Sequence, residues 1–244
     1  MHKKKRAAAG SDAHHQRNHE VETMELPLFP LNLVLFPGMV LPLHIFEPRY
    51  REMVNWCIAE KHPFGVVLID EDAPLSMTAS PHLIGTAARI ERLEQMEDGR
   101  LNITTVGAAR FRVKELHYDH SYLTGTVELF PVINGDTKTA NELAHKLRPR
   151  LVEYVELLAK ASNMRLQLDR LPEEPLTLAF LVGIALQIDN KHKQALLALP
   201  GVPEMLAREL HLLSRELLLL TYMIDTQAEM EAMTSGPTGY IFPN

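Results

Sequence analysis

The stretch LPLFPLNLVLFPGMVLPLHIFEPRYREMVNWCIAEKHPFGVVLI, residues 26–69, holds the densest apolar pattern of the chain and its clearest change from strand to helix. Residues 41–46 are apolar enough to predict a strand. Pro48 follows where the first turn of a helix tolerates a missing N–H, so a helix should start at Glu47 and Pro48 and end near Lys61. One apolar stripe at helical spacing should dock this helix on a sheet: Tyr50, Met53, Val54, Cys57 and Ile58.

The residues around this helix predict a small β-sheet. Pro27, Pro30 and Pro37 break residues 26–38 into short extended pieces, which indicates an edge strand and a turn but not a central strand. A curved sheet that closes into a pseudo-barrel is expected over residues 24–133. Its remaining features are predicted strands at 64–69, 84–93, 101–113 and 122–131, a hairpin turn at 97–99 and a bulge at Gly107.

Residues 134–235 are predicted to form a helical domain, because the apolar period changes there from 2 to 3.6. Pro149 should start a new helix or kink the first one. Pro175 opens a helix that is apolar on most sides, and Asp189 can cap a short helix. The longest helix is predicted over residues 203–233, where Met230 and Met233 belong to a segment that projects from the bundle.

The two ends of the chain have different compositions. Residues 1–23 lack apolar periodicity, which predicts a disordered tail. Its His14, His15 and His19 could capture a metal ion by spacing, but no acidic or cysteine cluster supports them, so no metal site is expected. The tail at 236–244 ends in apolar residues that need a partner, in cis or in trans.

Several motifs along the chain closely resemble, in order, the N-terminal domain of Lon proteases. They are PLFPL at 27–31, LFPGMVLPLHIFEPRY at 35–50, FGVVLI at 64–69, IGTA at 84–87, DGR at 98–100 and GAARFRV at 107–113. The resemblance implies an α+β fold in which a PUA-like β pseudo-barrel precedes an α-helical bundle. Lon proteases carry an ATPase module and a Ser-Lys proteolytic module after this domain, and the chain ends where these would begin. We therefore expect a stand-alone form of the domain.

The sequence lacks the common catalytic motifs. The phosphate-binding loop GxxxxGK[ST], the dinucleotide motif GxGxxG and the nucleophile motif GxSxG do not occur. Cys57, the one cysteine, lies on an apolar helix stripe, where a thiol is usually inert. His44 has the pattern of a hydrogen-bonded structural histidine. We therefore expect no enzyme activity and no cofactor.

The charge is unevenly distributed. Residues 1–20 carry a net charge of +3, so the rest of the chain carries −9. An acidic body repels phosphate backbones, which makes nucleic acid an unfavourable partner. RNA binding is still the alternative function, because PUA-like barrels in other families bind RNA, and a small-molecule pocket between the domains is another. Without a run of about 18 apolar residues or a secretory signal, no membrane partner is expected, and the cytoplasm is the expected location.

The resemblance implies binding of unfolded or misfolded polypeptide segments, as an adaptor or holdase in protein quality control with a protease or chaperone partner. The oligomeric state is left open and includes a homodimer. A turn should display Phe36 and Met39 beside an acid-rimmed groove along the first helix. Arg49 could hold a carboxylate or a peptide carbonyl, although an ion pair or a cap that clamps the strand to the helix is favoured. For Trp56, cover by the helical half is favoured over contact with a partner.

Overall fold

The computed structural model of the chain describes residues 22–70, 81–162 and 170–234. The predictions for the N-terminal tail and its three histidines and for the C-terminal tail lie outside the described residues, apart from Glu22 and Thr23. The side chain of Met233 also lies outside them.

The first half of the described chain is a closed, strongly curved sheet. Its strands are β1 (Thr23–Leu31), β2 (Val40–Ile45), β3 (Phe64–Leu68), β4 (Ile84–Gln95), β5 (Leu101–His117) and β6 (Thr124–Leu129). The strand order is β2-β5-β4-β3-β1-β6, and a further pairing of β5 with β6 closes the barrel. β5 has 17 residues and can therefore pair with β2 near its start, with β4 along most of its length and with β6 near its end. The expected pseudo-barrel is confirmed.

The first strand is not the edge strand that its prolines predict. β1 begins at Thr23, inside the expected disordered tail, and lies between β3 and β6. Its residues 23–27 pair antiparallel with β6, whereas residues 28–31 pair parallel with β3. Each half of β1 therefore pairs with only one neighbouring strand. Because proline has no backbone N–H to donate, Pro27 and Pro30 are tolerated where a strand pairs on one side only.

One helix, α1 (Pro48–Ala59), covers the sheet as its apolar stripe predicts. Glu47 is the extended residue before the helix, and Pro48 occupies its first turn. Met53, Val54 and Cys57 are buried against side chains of the strands, which form one core with them. The helix ends two residues before the predicted Lys61, whose φ of 52° turns the chain towards β3.

The second half is a bundle of four helices in the described residues, α2 (Lys138–Ala161), α3 (Pro175–Ala185), α4 (Asn190–Leu197) and α5 (Val202–Thr234). Pro149 does not start a new helix, because α2 continues through it. Asp189 caps α4 as predicted, since its side chain accepts a hydrogen bond of 2.7 Å from the backbone N–H of His192. The last turns of α5 carry exposed Tyr222, Met223 and Met230.

Barrel and bundle are joined by a buried junction. Phe36 leaves the barrel and is fully buried in the core of the bundle. A Cβ placed on Gly183 of α3 would lie 2.6 Å from the Phe36 ring, so the glycine provides the space that the ring occupies. The predicted display of Phe36 on an exposed turn is therefore wrong. The domain boundary near residue 134 stays a prediction.

Buried polar groups also cross this junction. The guanidinium of Arg110 on β5 donates hydrogen bonds to the carbonyl oxygens of Leu197 at 2.5 Å and Leu199 at 2.7 Å, at the end of α4. Gln194 of α4 donates from Nε2 to the carbonyl of Ile84 on β4 at 2.9 Å. Burial lowers the pKa of Arg110 to about 10, which still leaves it charged at neutral pH. The charge is accommodated because backbone carbonyls solvate it.

Candidate functional site

An apolar groove lies on the barrel surface beside the C-terminal end of α1, and we call it the α1 groove. Its volume is about 620 Å³. Four large apolar side chains of the wall are exposed, with exposed fractions of 36% for Ile58, 42% for Met24, 46% for Leu93 and 59% for Leu129. The other lining residues are Cys57, Lys61, His62, Pro63, Ala87, Arg89, Ile90, Glu91, Arg92, Ala108 and Ala109.

The lengths of the strands create this groove. β3 begins at Phe64 opposite Ala88, so residues 89–95 of β4 extend past its end. In β5 the register shifts between Gly107 and Arg110, which is a bulge at the predicted position. Ala108 and Ala109 lie in the bulge and are exposed, and their small side chains leave the floor of the groove open.

The rim of the α1 groove is basic and not acidic as expected. Lys61, Arg89 and Arg92 line it together with one carboxylate, that of Glu91. Arg89 and Glu91 form an ion pair at 2.8 Å, so these two charges offset each other. Lys61 and Arg92 therefore set the sign of the local charge.

Trp56 flanks this groove and is not covered by the helical half. Its side chain is 42% exposed, so the favoured prediction is wrong. Its ring centroid lies 5.2 Å from that of His62, a residue of the groove wall. The indole is thus partly exposed beside the groove.

The other predicted contact residues lie elsewhere. Met39 is half-buried and packs against the cores of both the barrel and the bundle. Arg49 pairs with Glu47 at 2.8 Å, a local ion pair with the residue that precedes α1, and its guanidinium lies 4.6 Å from the centre of the Tyr50 ring. The structure therefore does not bring Phe36, Met39, Arg49 and Trp56 together into one site.

A second cleft lies at the N-terminal end of α1, and we call it the aromatic cleft. It has a volume of about 580 Å³ and contains Arg49 in its wall. Phe46 and Tyr118 are exposed by 61% and 56% beside it. His44 also lines it and lies 2.7 Å from Asn102 through Nδ1, which confirms a hydrogen-bonded histidine. Its remaining rings are Phe29, Tyr50, His120 and Tyr122.

A third cleft of about 590 Å³ lies where barrel and bundle meet, with Asn32, His82 and Asp189 in its wall. Nothing in its geometry selects a particular ligand, because its charged groups are already engaged. The carboxyl of Asp189 is hardly buried. Its pKa is lowered chiefly by the hydrogen bond that it accepts from the backbone N–H of His192.

The structure also bears on the predictions for the thiol of Cys57, for metal binding and for the membrane. Cys57 is 1% exposed, and burial raises the pKa of its thiol to about 12, so the reactive thiolate does not form at neutral pH. Among the described residues, no group of three or more His, Cys, Asp and Glu side chains is arranged to hold a metal ion. No helix within the described ranges has the length and apolar character to cross a membrane.

Two buried charged residues were missed by the sequence patterns. Arg110 sits in a strand whose alternation does not distinguish it from exposed neighbours. Glu209 of α5 is fully buried, and within the described chain neither carboxylate oxygen has a hydrogen-bond partner. Burial raises its pKa well above the usual range. Its spacing of three and four residues from the buried Leu206 and Leu213 was the available signal.

Fold and surface together place the chain in the class of α+β proteins that join a closed β-barrel to a helical bundle. It belongs to the family of ATP-dependent protease La (LON) substrate-binding domains, whose family model matches residues 25–215.

Relatives of known sequence support this family. The chain is 26% identical to the Lon protease of Flavobacterium johnsoniae, over 88% of this chain and 27% of the relative. It is 29% identical to Lon protease 2 of Myxococcus xanthus, over 84% of this chain and 26% of the relative. The chain therefore spans about a quarter of the length of these relatives.

Solved structures agree with the fold. A crystal structure of a Lon N-terminal domain protein from Xanthomonas campestris superposes with a TM-score of 0.59 at 26% identity and covers 77% of this chain and 98% of that one. The N-terminal domain of a Mycobacterium avium complex Lon protease gives a TM-score of 0.61 at 19% identity, over 78% and 98%. The second likeness concerns the fold alone.

Proposed function

We propose that this chain is a non-catalytic module that binds unfolded or misfolded polypeptide segments and acts as an adaptor or holdase in protein quality control. The family supports polypeptide binding, because its matched region is a substrate-binding domain. The observation that carries the proposal is the α1 groove, where four large apolar side chains are exposed around an open floor. Isolated apolar side chains on a surface are ordinary, but a contiguous apolar groove indicates a partner.

The groove favours weak and reversible binding. Burying a large apolar side chain contributes about 1.5–3 kcal/mol. Association costs at least about 4 kcal/mol in lost freedom of motion. Three or four apolar contacts therefore give binding that is no tighter than about micromolar. Such affinity suits a module that holds a segment and then releases it to a protease or chaperone.

The test is the affinity for a fluorescent, chemically denatured polypeptide. Leu93→Ser with Leu129→Ser should weaken binding at least about tenfold, because each change removes an exposed apolar contact. Leu218→Ser with Tyr222→Ser on α5 is the matched control, since both residues are exposed and apolar but lie outside the groove. Binding that is unchanged in the groove variant, with a native circular dichroism spectrum, would exclude the groove as the site.

The holdase role has its own measurement. Light scattering by a heat-denatured client protein should be suppressed by the intact chain and not by the groove variant. ATP and casein should not be consumed in the same mixtures, because the motifs for both chemistries do not occur in the sequence. Turnover of either that persists through repurification would contradict a non-catalytic module.

RNA binding is the second candidate function, and the aromatic cleft favours it. Its exposed Phe46 and Tyr118 could stack on unpaired bases, with Arg49 beside them. The net charge of −9 outside residues 1–20 opposes it. We expect any binding of single-stranded RNA to disappear when residues 1–20 are removed. Salt-sensitive binding that survives this truncation and is lost in Phe46→Ala with Tyr118→Ala would favour RNA as the ligand.

A further inference from the structure

The α1 groove differs in charge from the rest of the protein. Lys61, two residues after α1, and Arg92 on β4 are exposed on its rim. Among the described residues, neither side chain forms an ion pair with a carboxylate, whereas Arg89 is neutralised by Glu91. The next carboxylate of β4, that of Glu94, accepts a hydrogen bond from Asn102 and does not line the groove. The groove is thus a basic opening on an acidic protein.

The basic rim surrounds an apolar interior. Ile58 and the alanines of the β5 bulge line it together with Met24 and Leu129. A segment that buries apolar side chains in this groove places its flanking residues close to the rim. Carboxylates at those positions would meet cations, whereas basic residues would meet like charges.

We propose that the α1 groove selects polypeptide segments in which Asp or Glu flanks a short apolar run. The inference rests on the proposed function, since it names the class of segment that the same groove binds. Apolar contact supplies most of the affinity, and the two cations supply the selectivity. Exposed ion pairs are weak individually, so the preference for acidic over uncharged flanks should be about two- to tenfold.

The experiment uses three fluorescent peptides that share one apolar run and differ only in flanks of Glu, Gln or Lys. Anisotropy titrations of the full chain should give the affinity order Glu, then Gln, then Lys. The spread should shrink between low and moderate salt, because exposed charges are screened. Affinity for the Gln peptide should change little with salt, because burial of apolar surface dominates it.

Charge reversal supplies the decisive comparison. Lys61→Glu with Arg92→Glu should invert the order of the Glu and Lys peptides and leave the Gln peptide nearly unchanged. Lys146→Glu with Lys160→Glu on α2 is the matched control, since it makes the same change in net charge at exposed positions away from the groove. The control should keep the original order.

The outcomes separate the two proposals. Equal affinities for the three peptides would overturn the selectivity and leave polypeptide binding intact. An inversion in the α2 control as large as in the groove variant would also overturn it, because the overall field would then be responsible. Absence of binding by all three peptides would overturn the proposed function together with the inference.

Discussion

The turn at Phe36 and the C-terminal end of α1 show opposite outcomes for a large aromatic side chain. The sequence predicts that Phe36 is displayed and that Trp56 is covered, whereas Phe36 is fully buried and Trp56 is 42% exposed. Gly183 provides space for the Phe36 ring, but the ring closest to Trp56 is that of His62, a near neighbour in the chain. Whether an aromatic side chain is buried or exposed thus depends on whether an element far away in sequence, such as α3 for Phe36, packs against it.

The largest expected effect tests the buried side of this comparison. Phe36→Ala should lower the free energy of unfolding by about 3–5 kcal/mol, because it opens a cavity in the core of the bundle. Urea denaturation followed by circular dichroism measures the change. Phe46→Ala is the matched control, since its ring is 61% exposed and should contribute little. Equal losses in both variants would remove the contrast between the two regions.

A second prediction sharpens the description of the junction. Arg110→Ala should lower the free energy of unfolding by about 2–4 kcal/mol, because carbonyls of Leu197 and Leu199 lose a charged donor inside the protein. Thermal unfolding by calorimetry gives the value. Arg89→Ala, at the exposed groove rim, should change stability by less than about 1 kcal/mol. A small loss in Arg110→Ala would show that the buried guanidinium does not hold barrel and bundle together.

A third prediction has the opposite sign. Glu209→Gln should raise the free energy of unfolding at pH 7 by about 1–3 kcal/mol, because a buried amide, unlike the buried carboxyl, does not have to take up a proton on folding. Burial raises the pKa of Glu209, so the folded protein keeps a proton that the unfolded chain releases above about pH 4.3. Stability of the unsubstituted protein should therefore fall as pH rises from there towards the raised pKa.

Chemical denaturation between about pH 5 and pH 8 tests this linkage. The stability difference between Glu209→Gln and the unsubstituted protein should increase with pH. Glu229→Gln, at an exposed position of the same helix, is the matched control substitution. A constant difference would mean that Glu209 titrates alike in the folded and unfolded states.

The smallest expected effect concerns the exposed side. Trp56→Ala should change stability by less than about 1 kcal/mol, because its indole is only partly covered. The same change should weaken polypeptide binding if Trp56 contributes to the groove. Trp56 is the sole tryptophan, so its fluorescence emission reports this site directly. An emission spectrum typical of a fully buried indole would contradict the exposed position.

Local signals predicted most of the fold. The strand before α1, the proline at the start of that helix, the glycine turn at Gly99 and the Asp189 cap each depend on a few neighbouring residues. The interior position of β1 could not be predicted in this way. It depends on β1 changing its partner from β6 to β3 halfway along, which no pattern within the strand specifies.

The candidate site was predicted only in outline. A groove beside the first helix follows from its amphipathic pattern, and the structure contains one. Its basic rim arises from Lys61 and Arg92, which are 31 positions apart in sequence and are brought together by β4 extending past β3. The sign of that charge was therefore not available from the overall composition, which is acidic.

The pairing of β1 with β6 also sets an order in time during synthesis. Thr23 pairs with Glu128, so the first half of β1 waits for about a hundred further residues before its partner exists. At about 5–20 residues per second, this delay is about 5–20 s on the ribosome. The second half of β1 can pair with β3 much earlier, so one strand is completed in two steps, and Leu26 has no strand partner until Gly125 is made.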